Sequence, residues 1–377
     1  MRWALLLLLA FPLHANAVRF GGQTAERAVT LPSASPLAIT SQPFTRTVTC
    51  TGARTLTGTA TGAGAVTWVA SPDGASGACT GTTSWSCPVA VSPNAVGEGV
   101  ETITVSQAGG GSATVELGFY VAGAHSCFLA QSYDGAYNAG KLNLDAVGTW
   151  VNLGSSALNV TQATGSAQPT YRTAIVGGQP VVRCDGGDRV SGAVTADWTF
   201  LNTGVDFTME HVSATSLADP NALMLVISTA ATVAGGSRGT TLAYDDRAAS
   251  SRNNRQQHTV ANGVALPIAI VSPADGSMPA QRFNESHLQF HDDGGAGNDA
   301  FLYANGTLDV AGAASTTFSA LDPVGPITFC AGTTGTSPFA GDLFRVAVYS
   351  SLLTATQLGI NLAVDAWALG GTLPVSP

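Results

Sequence analysis

Nine residues near the C-terminus, Gly341-Asp-Leu-Phe-Arg-Val-Ala-Val-Tyr349, alternate in a way that only an extended chain can use. Leu343, Arg345 and Ala347 fall on one side, and Phe344, Val346 and Val348 on the other. That period of two marks a half-buried strand. The pattern recurs at Thr45–Cys50, Ala65–Val69, Glu101–Val105 and Ala113–Val121, with glycine-rich turns between the runs. Further apolar runs at Asp206–Val212 and Ala222–Ile227 read as strands of the same kind. Phe301-Leu-Tyr-Ala-Asn-Gly306 reads as a strand entering a tight turn at Asn305-Gly306. Many short strands with turn signals predict an all-β chain of packed sheets. Hydrophobic residues make up 45% of the chain, enough to build cores and too many for a disordered polymer. Only 10% of residues are charged and the net charge is −9, so there is no basic footprint for nucleic acid or anionic lipid.

The N-terminus has a second constraint. Arg2 precedes the apolar run Trp3–Leu13, and Ala15-Asn-Ala17 follows. These three parts describe a secretory signal peptide cleaved after Ala17. The run is shorter than the roughly 20 residues a membrane helix needs, and no later segment replaces it. The mature chain is therefore expected to be secreted, or held in the cell envelope or periplasm, without membrane insertion. In an exported chain the even cysteine count, Cys50, Cys79, Cys87, Cys127, Cys184 and Cys330, predicts up to three disulfides. No C-x-x-C pair or nearby histidine gives zinc-ligand spacing. Cys79 and Cys87 flank Thr80–Ser86, which can turn back as a hairpin, and form the expected pair. Spacing does not assign the others. Cys184 with Cys330, both in strand-like runs, and Cys50 with Cys127 are the expected remainder.

The chain divides on paper into a signal peptide (1–17), a linker (18–42), a small β-sandwich (43–122), a larger one (123–371) and a tail (372–377). Trp68 and Trp85 are expected in the core of the small sandwich, since a lone strand tryptophan is usually buried. One helix is legible. Thr354-Ala-Thr-Gln357 fits a capping box, Leu358, Leu362 and Ala366 share a face, and Gly370-Gly371 ends it.

The closing order of Phe301–Gly306, Gly341–Tyr349 and Leu352–Gln357 resembles laminin G-like domains of the concanavalin A-like lectin/glucanase superfamily. The opening order agrees: Thr149-Trp-Val-Asn-Leu153, then Pro169-Thr-Tyr171, then Gln179-Pro-Val-Val-Arg-Cys-Asp-Gly186. Cys184 stands where that family usually has phenylalanine. The resemblance implies a jelly-roll sandwich over 123–371. Leu56–Ala60, Val66-Thr-Trp68, Gly77–Trp85 and Gly99–Val105 are similar to bacterial immunoglobulin-like repeats, which usually act as spacers.

Glucanases of that superfamily carry their acids on one strand, spaced so that they face one way, and retaining cleavage needs the pair about 5–5.5 Å apart. No such run exists here. Glu210 and Glu285 are far apart in sequence and lack strand-spaced acidic partners, so the chain is expected not to be an enzyme. Gly235-Gly-Ser-Arg-Gly239 matches the nucleophile-elbow pattern at Ser237, but its flanks are not a strand followed by a helix. Asp292, Asp293, Asn298 and Asp299 form the densest acidic cluster. They could give part of a calcium shell, as rim loops of related sandwiches do, or simply a hairpin turn; no other cofactor is implied. Tyr244-Asp-Asp-Arg247 is a weaker case of the same kind, and Arg252, Arg255 and His258 read as a solvated polar face. The expected function is non-catalytic recognition of a carbohydrate or surface polymer by the larger sandwich. The alternatives are a structural or adhesion protein making protein contacts, and a glycoside hydrolase with an unrecognised site.

Overall fold

The computed structural model describes residues 37–373, apart from 41–43, 45, 96–98, 137–140, 194–195, 203–204, 216–222, 230, 234–235, 246–254, 263–267, 272–281, 292–297, 315–325, 333–336 and 372. Among the described residues the protein is all-β apart from short 3-10 turns and one helix. Four sheets form two sandwich-like layers of pairs. The expected cleavage site at Ala17 lies outside the described residues.

The smaller pair joins a three-stranded sheet (Ala38–Ile39, Ala53–Thr59, Ser84–Ala90) to a five-stranded one. The five run in the order Thr47–Thr49, Ser112–Phe119, Val100–Gln107, Val66–Ser71, Ser76–Ala78. Strand alternation fills the space between them. Val66, Trp68 and Ala70 point inward from one strand, and Leu56, Trp85 and Val89 meet them from the other sheet. Trp68 and Trp85 are 4% and 2% exposed, so they are core residues and leave no sugar-stacking face.

The larger pair sets a nine-stranded sheet against an eight-stranded one. The eight-stranded sheet runs Thr170–Val176, Gln179–Asp185, Ala340–Tyr349, Phe207–Thr215, Asn284–His291, Asn298–Ala304, Thr307–Ala314. Ser126–Leu129 also pairs with Ala340–Tyr349. Met209, Leu288, Leu302, Val346 and Val348 face the inner core, where they join Trp150, Val226, Leu242 and Phe329 of the other sheet. Asn305 (φ 51°) and Gly306 (φ 78°) turn the chain between Asn298–Ala304 and Thr307–Ala314, at the expected tight turn.

Ala340–Tyr349 is not half-buried. Every residue from Gly341 to Tyr349 is buried, Arg345 included. The outer side of the strand is covered by helix α1 (Ala355–Ala368). Thr354 Oγ1 accepts from the Gln357 amide while Gln357 Oε1 accepts from the Thr354 amide, the capping box the sequence encodes. The buried residues of α1 are Leu358, Ile360, Asn361, Val364, Asp365 and Ala368. Leu362 and Ala366 are only partly buried. The helix therefore lays a partly polar face on the larger sandwich, where the spacing of Leu358, Leu362 and Ala366 suggested an apolar one. It also touches strands of the smaller pair. A Cβ on Gly118 would stand 2.9 Å from Val364, 3.0 Å from Val48 and 3.1 Å from Trp367, so the approach of helix to strand requires glycine there.

Disulfides join Cys50 to Cys127, Cys79 to Cys87 and Cys184 to Cys330. Three disulfides fit folding in an oxidising compartment. Among the described residues no helix is long and apolar enough to cross a membrane.

Candidate functional site

Two polar constellations stand out: one open at the rim of the larger sandwich and one sealed beneath α1. The open one begins where Gln179–Asp185 ends. The Asp185 amide donates to Asp188 Oδ2 at 2.9 Å, and the Gly187 amide to Asp185 Oδ1 at 2.7 Å. Gly186 sits at φ 91°, a conformation that favours glycine, and lets the chain double back. On the facing wall the Gln162 amide ties its own segment to the loop. Its Nε2 donates to the Arg189 carbonyl at 3.2 Å and its Oε1 accepts from the Thr164 amide at 3.0 Å. The Cys184–Cys330 disulfide pins the base, and the Phe339 amide donates to the Cys330 carbonyl. Arg183 and Asp342 form a two-pronged ion pair at 2.6 and 2.7 Å just behind it.

The result is a cleft of about 270 Å³ between Gln162, Thr164, Asp188, Arg189, Ala331 and Pro338. Asp188 is 4% exposed. Burial pushes its carboxyl up to about 6; the hydrogen bond from the Asp185 backbone opposes the shift and the Asp185 charge adds to it. The Arg189 guanidinium makes no hydrogen bond or ion pair among the described residues. Arg189, Asp188 and Thr164, residues with a planar cation, a carboxyl group and a hydroxyl, thus line one concave place, a composition that suits a polar small-molecule site.

The sealed constellation lies on the outer side of the eight-stranded sheet. Antiparallel register sets Glu210 opposite both Ala347 and His287, and Val212 opposite both Arg345 and Glu285. Glu210, Glu285, His287 and Arg345 therefore share one side of three adjacent strands. From above, α1 adds Asn361 and Asp365. Arg345 binds Asp365 through Nη2 at 2.6 Å and Glu210 through Nη1 at 2.7 Å, and stands 3.6 Å from Glu285. The Tyr120 ring lies 4.4 Å from the guanidinium, and its hydroxyl donates to Asp365 at 2.6 Å. Asn361 donates to both Glu210 oxygens, and its Oδ1 accepts from the Val121 amide.

All these ionisable side chains are buried. Burial would lower the Arg345 pKa, but the Asp365 and Glu210 charges outweigh it and hold the group well above its usual range. Burial pushes Asp365 up to about 7 against the pull of Arg345, and the Glu285 charge raises it further. Tyr120 is raised by burial and by Asp365. One guanidinium serves three carboxylates.

Glu210 and Glu285, separated in sequence and read there as lacking acidic partners, are diagonal neighbours here, with ligand atoms within 4.8 Å of one another. Ser237 lies inside a strand paired with Ala231–Val233 and Arg255–Asn262, so no strand-to-helix elbow exists there. Asp292 and Asp293 lie outside the described residues. Asn298 and Asp299 belong to a strand, with Asp299 opposite His291, and their side chains are outside the described residues. Arg345, Asp365, Asn361, Tyr120 and His287 belong to no functional motif in the sequence, nor do Asp188 and Arg189 as a cleft. A signal for the first group exists: an arginine inside an otherwise apolar strand, and Asn361 and Asp365 at i, i+4 on one helix face.

No family model matches the chain, and no curated protein does. Solved structures do show a likeness. A leech intramolecular trans-sialidase is 18% identical at a TM-score of 0.36, with 45% of this chain and 25% of that one covered. The CBM40 of a Ruminococcus gnavus IT-sialidase, bound to α2,3-sialyllactose, is 17% identical at 0.35, with 43% and 85% covered. A Trypanosoma rangeli sialidase is 12% identical at 0.38, with 64% and 33% covered. The chain thus spans a quarter of the leech enzyme and a third of the trypanosomal one, so their activities and ligands stay with those proteins. The reading of this chain as no enzyme is corrected. Sialidases stand among the structures it is similar to, and the premise of that reading, that Glu210 and Glu285 have no acidic partner, fails in the sheet register.

Proposed function

We propose that this chain is an exported carbohydrate-binding protein. In this reading 123–371 is a concanavalin A-like jelly roll of the laminin G-like kind, and 43–122 is an immunoglobulin-like spacer in front of it. The observation that carries the proposal is the rim cleft. Arg189 offers a fork of donors unpaired among the described residues, Asp188 a carboxyl group that accepts hydroxyls once ionised, and Thr164 a hydroxyl, on two segments tied together by Gln162, with the Cys184–Cys330 disulfide at the base. Sugars are held by such converging polar groups on a preformed surface. The likeness in fold to sialidase-associated domains agrees with this choice of ligand class and adds no weight of its own.

The test is a screen of the full chain against neutral and acidic glycans, with and without calcium, with product release followed in parallel. Arg189→Ala and Asp188→Asn are expected to weaken the best ligand at least about tenfold, as loss of a charged hydrogen bond does, while leaving the melting temperature near that of the parent. Binding that persists unchanged in both variants would remove the cleft from the proposal.

A further inference from the structure

In the sealed constellation Arg345, Asn361 and Tyr120 satisfy Glu210 and Asp365. They leave two neighbours unsatisfied. Both carboxylate oxygens of Glu285 and both ring nitrogens of His287 are buried without a hydrogen-bond partner. A buried carboxylate with no donor costs several kcal/mol and is normally paired or bound to a metal. The imidazole is oriented by the Tyr303 ring at 4.6 Å, and its Nδ1 lies 3.8 Å from Glu285 Oε1, too far for a hydrogen bond. Glu210, Glu285 and His287 project from two adjacent strands, and one ligand atom of each lies within 4.8 Å of the others.

We infer that Glu210, Glu285 and His287 form a buried site for a divalent transition-metal ion of zinc's kind, held between the sheet and α1. Two carboxylate oxygens and one imidazole nitrogen are a ligand set zinc accepts, at about 2.0–2.2 Å from each. The charge balance points the same way. With all three carboxylates ionised against a single guanidinium, a dication brings the enclosure to neutrality. Arg345 bonds to Asp365 and to Glu210 Oε2 and stands 3.6 Å from Glu285 Oε1 without a hydrogen bond, which leaves the His287 side of the group for the ion. Because every ligand is enclosed, the ion would enter as the chain folds or when α1 lifts. Its role would be to fasten the helix-covered side of the sheet.

The test uses the full chain without an affinity tag, unfolded in denaturant with its disulfides intact and refolded with zinc or with cobalt. Wild type should retain about one ion per chain after exhaustive dialysis, the stoichiometry of a single enclosed site. The cobalt form should show visible bands of a low-coordinate nitrogen–oxygen site, and refolding with a chelator should lower the melting temperature. His287→Gln and Glu285→Gln should each lose the ion, while Glu116→Gln, on the smaller sandwich, should keep it. Refolded wild type that carries no ion and shows no cobalt bands overturns the inference, whatever the variants do. So does an ion retained equally by His287→Gln. If the variants fail to fold, the wild-type stoichiometry and cobalt spectrum decide alone.

Discussion

Replacing Arg345 by methionine keeps an unbranched side chain of comparable reach and removes the one guanidinium that serves Glu210, Glu285 and Asp365. The bonds lost are those at 2.6 Å to Asp365 and 2.7 Å to Glu210, together with the approach of the Tyr120 ring. Breaking one partner of a buried pair typically costs about 3–5 kcal/mol, because the other charge stays desolvated. Here three carboxylates remain in one enclosure, so the loss at pH 7 should fall at the top of that range. Protonation offers relief. Without Arg345, burial and the Glu285 charge hold the folded-state pKa of Asp365, about 7 with the guanidinium in place, well above the value of about 4 of an unfolded aspartate. A group with a raised folded pKa gives stability that is full below the unfolded pKa and is lost as pH rises through the folded one. The deficit of the variant should therefore shrink as pH falls from 8 to 5. Urea unfolding followed by tryptophan fluorescence and near-ultraviolet circular dichroism across that range measures both quantities. A loss below about 1 kcal/mol at pH 7, or a larger loss that does not vary with pH, would refute the reasoning, since packing alone has no such titration.

Three further outcomes follow from local geometry. Thr354→Ala removes the acceptor of the α1 capping box and should cost about 1 kcal/mol in urea unfolding, with Thr354→Ser restoring most of it. Gly118→Ala places a methyl group against Val364, Val48 and Trp367 and should cost about 1–3 kcal/mol by overpacking, whereas Gly109→Ala, with open space around it, should act only through its positive φ. Asp188, pushed up to about 6, should make glycan affinity rise between pH 5 and pH 7 as its carboxylate forms, and Asp188→Asn should flatten that profile; the same raised pKa means that its contribution to folding declines over the window from about 4 to 6.

Strands of the smaller pair were legible because one-sided burial writes a period of two into the chain: Val66, Trp68 and Ala70 face inward, and the residues between them face out. The helix was legible from its end, since Thr354 and Gln357 cap each other regardless of what the helix packs on. Its packing was not legible. Leu358, Leu362 and Ala366 set the expected face, but the sheet beneath offered Glu210 and Arg345, so Asn361 and Asp365 turned inward and Leu362 and Ala366 stayed partly exposed. The same limit applies to the carboxylates. Glu210 and Glu285 carry no local signal, because strand register, fixed by pairing over the whole Phe207–Thr215 and Asn284–His291 ladder, is what brings them together. The rim cleft escaped for a related reason: its walls come from separate loops joined by Gln162 and a disulfide, and none of its residues belongs to a motif.

The two constellations make different demands on the fold. A ligand site at the rim needs polar groups left unpaired, and Arg189 meets that need among the described residues, because Gln162 holds its carbonyl and Asp185 Oδ1 holds the Gly187 amide while the guanidinium is spared. The sealed group carries the opposite problem, polar atoms that must be satisfied without water. Hydrogen bonds achieve this around Arg345 and Asp365, where Tyr120 and Asn361 complete the shell. They do not achieve it around Glu285 and His287, where apolar side chains would have packed under α1 at lower cost. A strand that places glutamate, not leucine, at 285 and histidine at 287 is under a requirement other than packing. The dication inferred above meets it, and it also accounts for one arginine sufficing where three carboxylates converge.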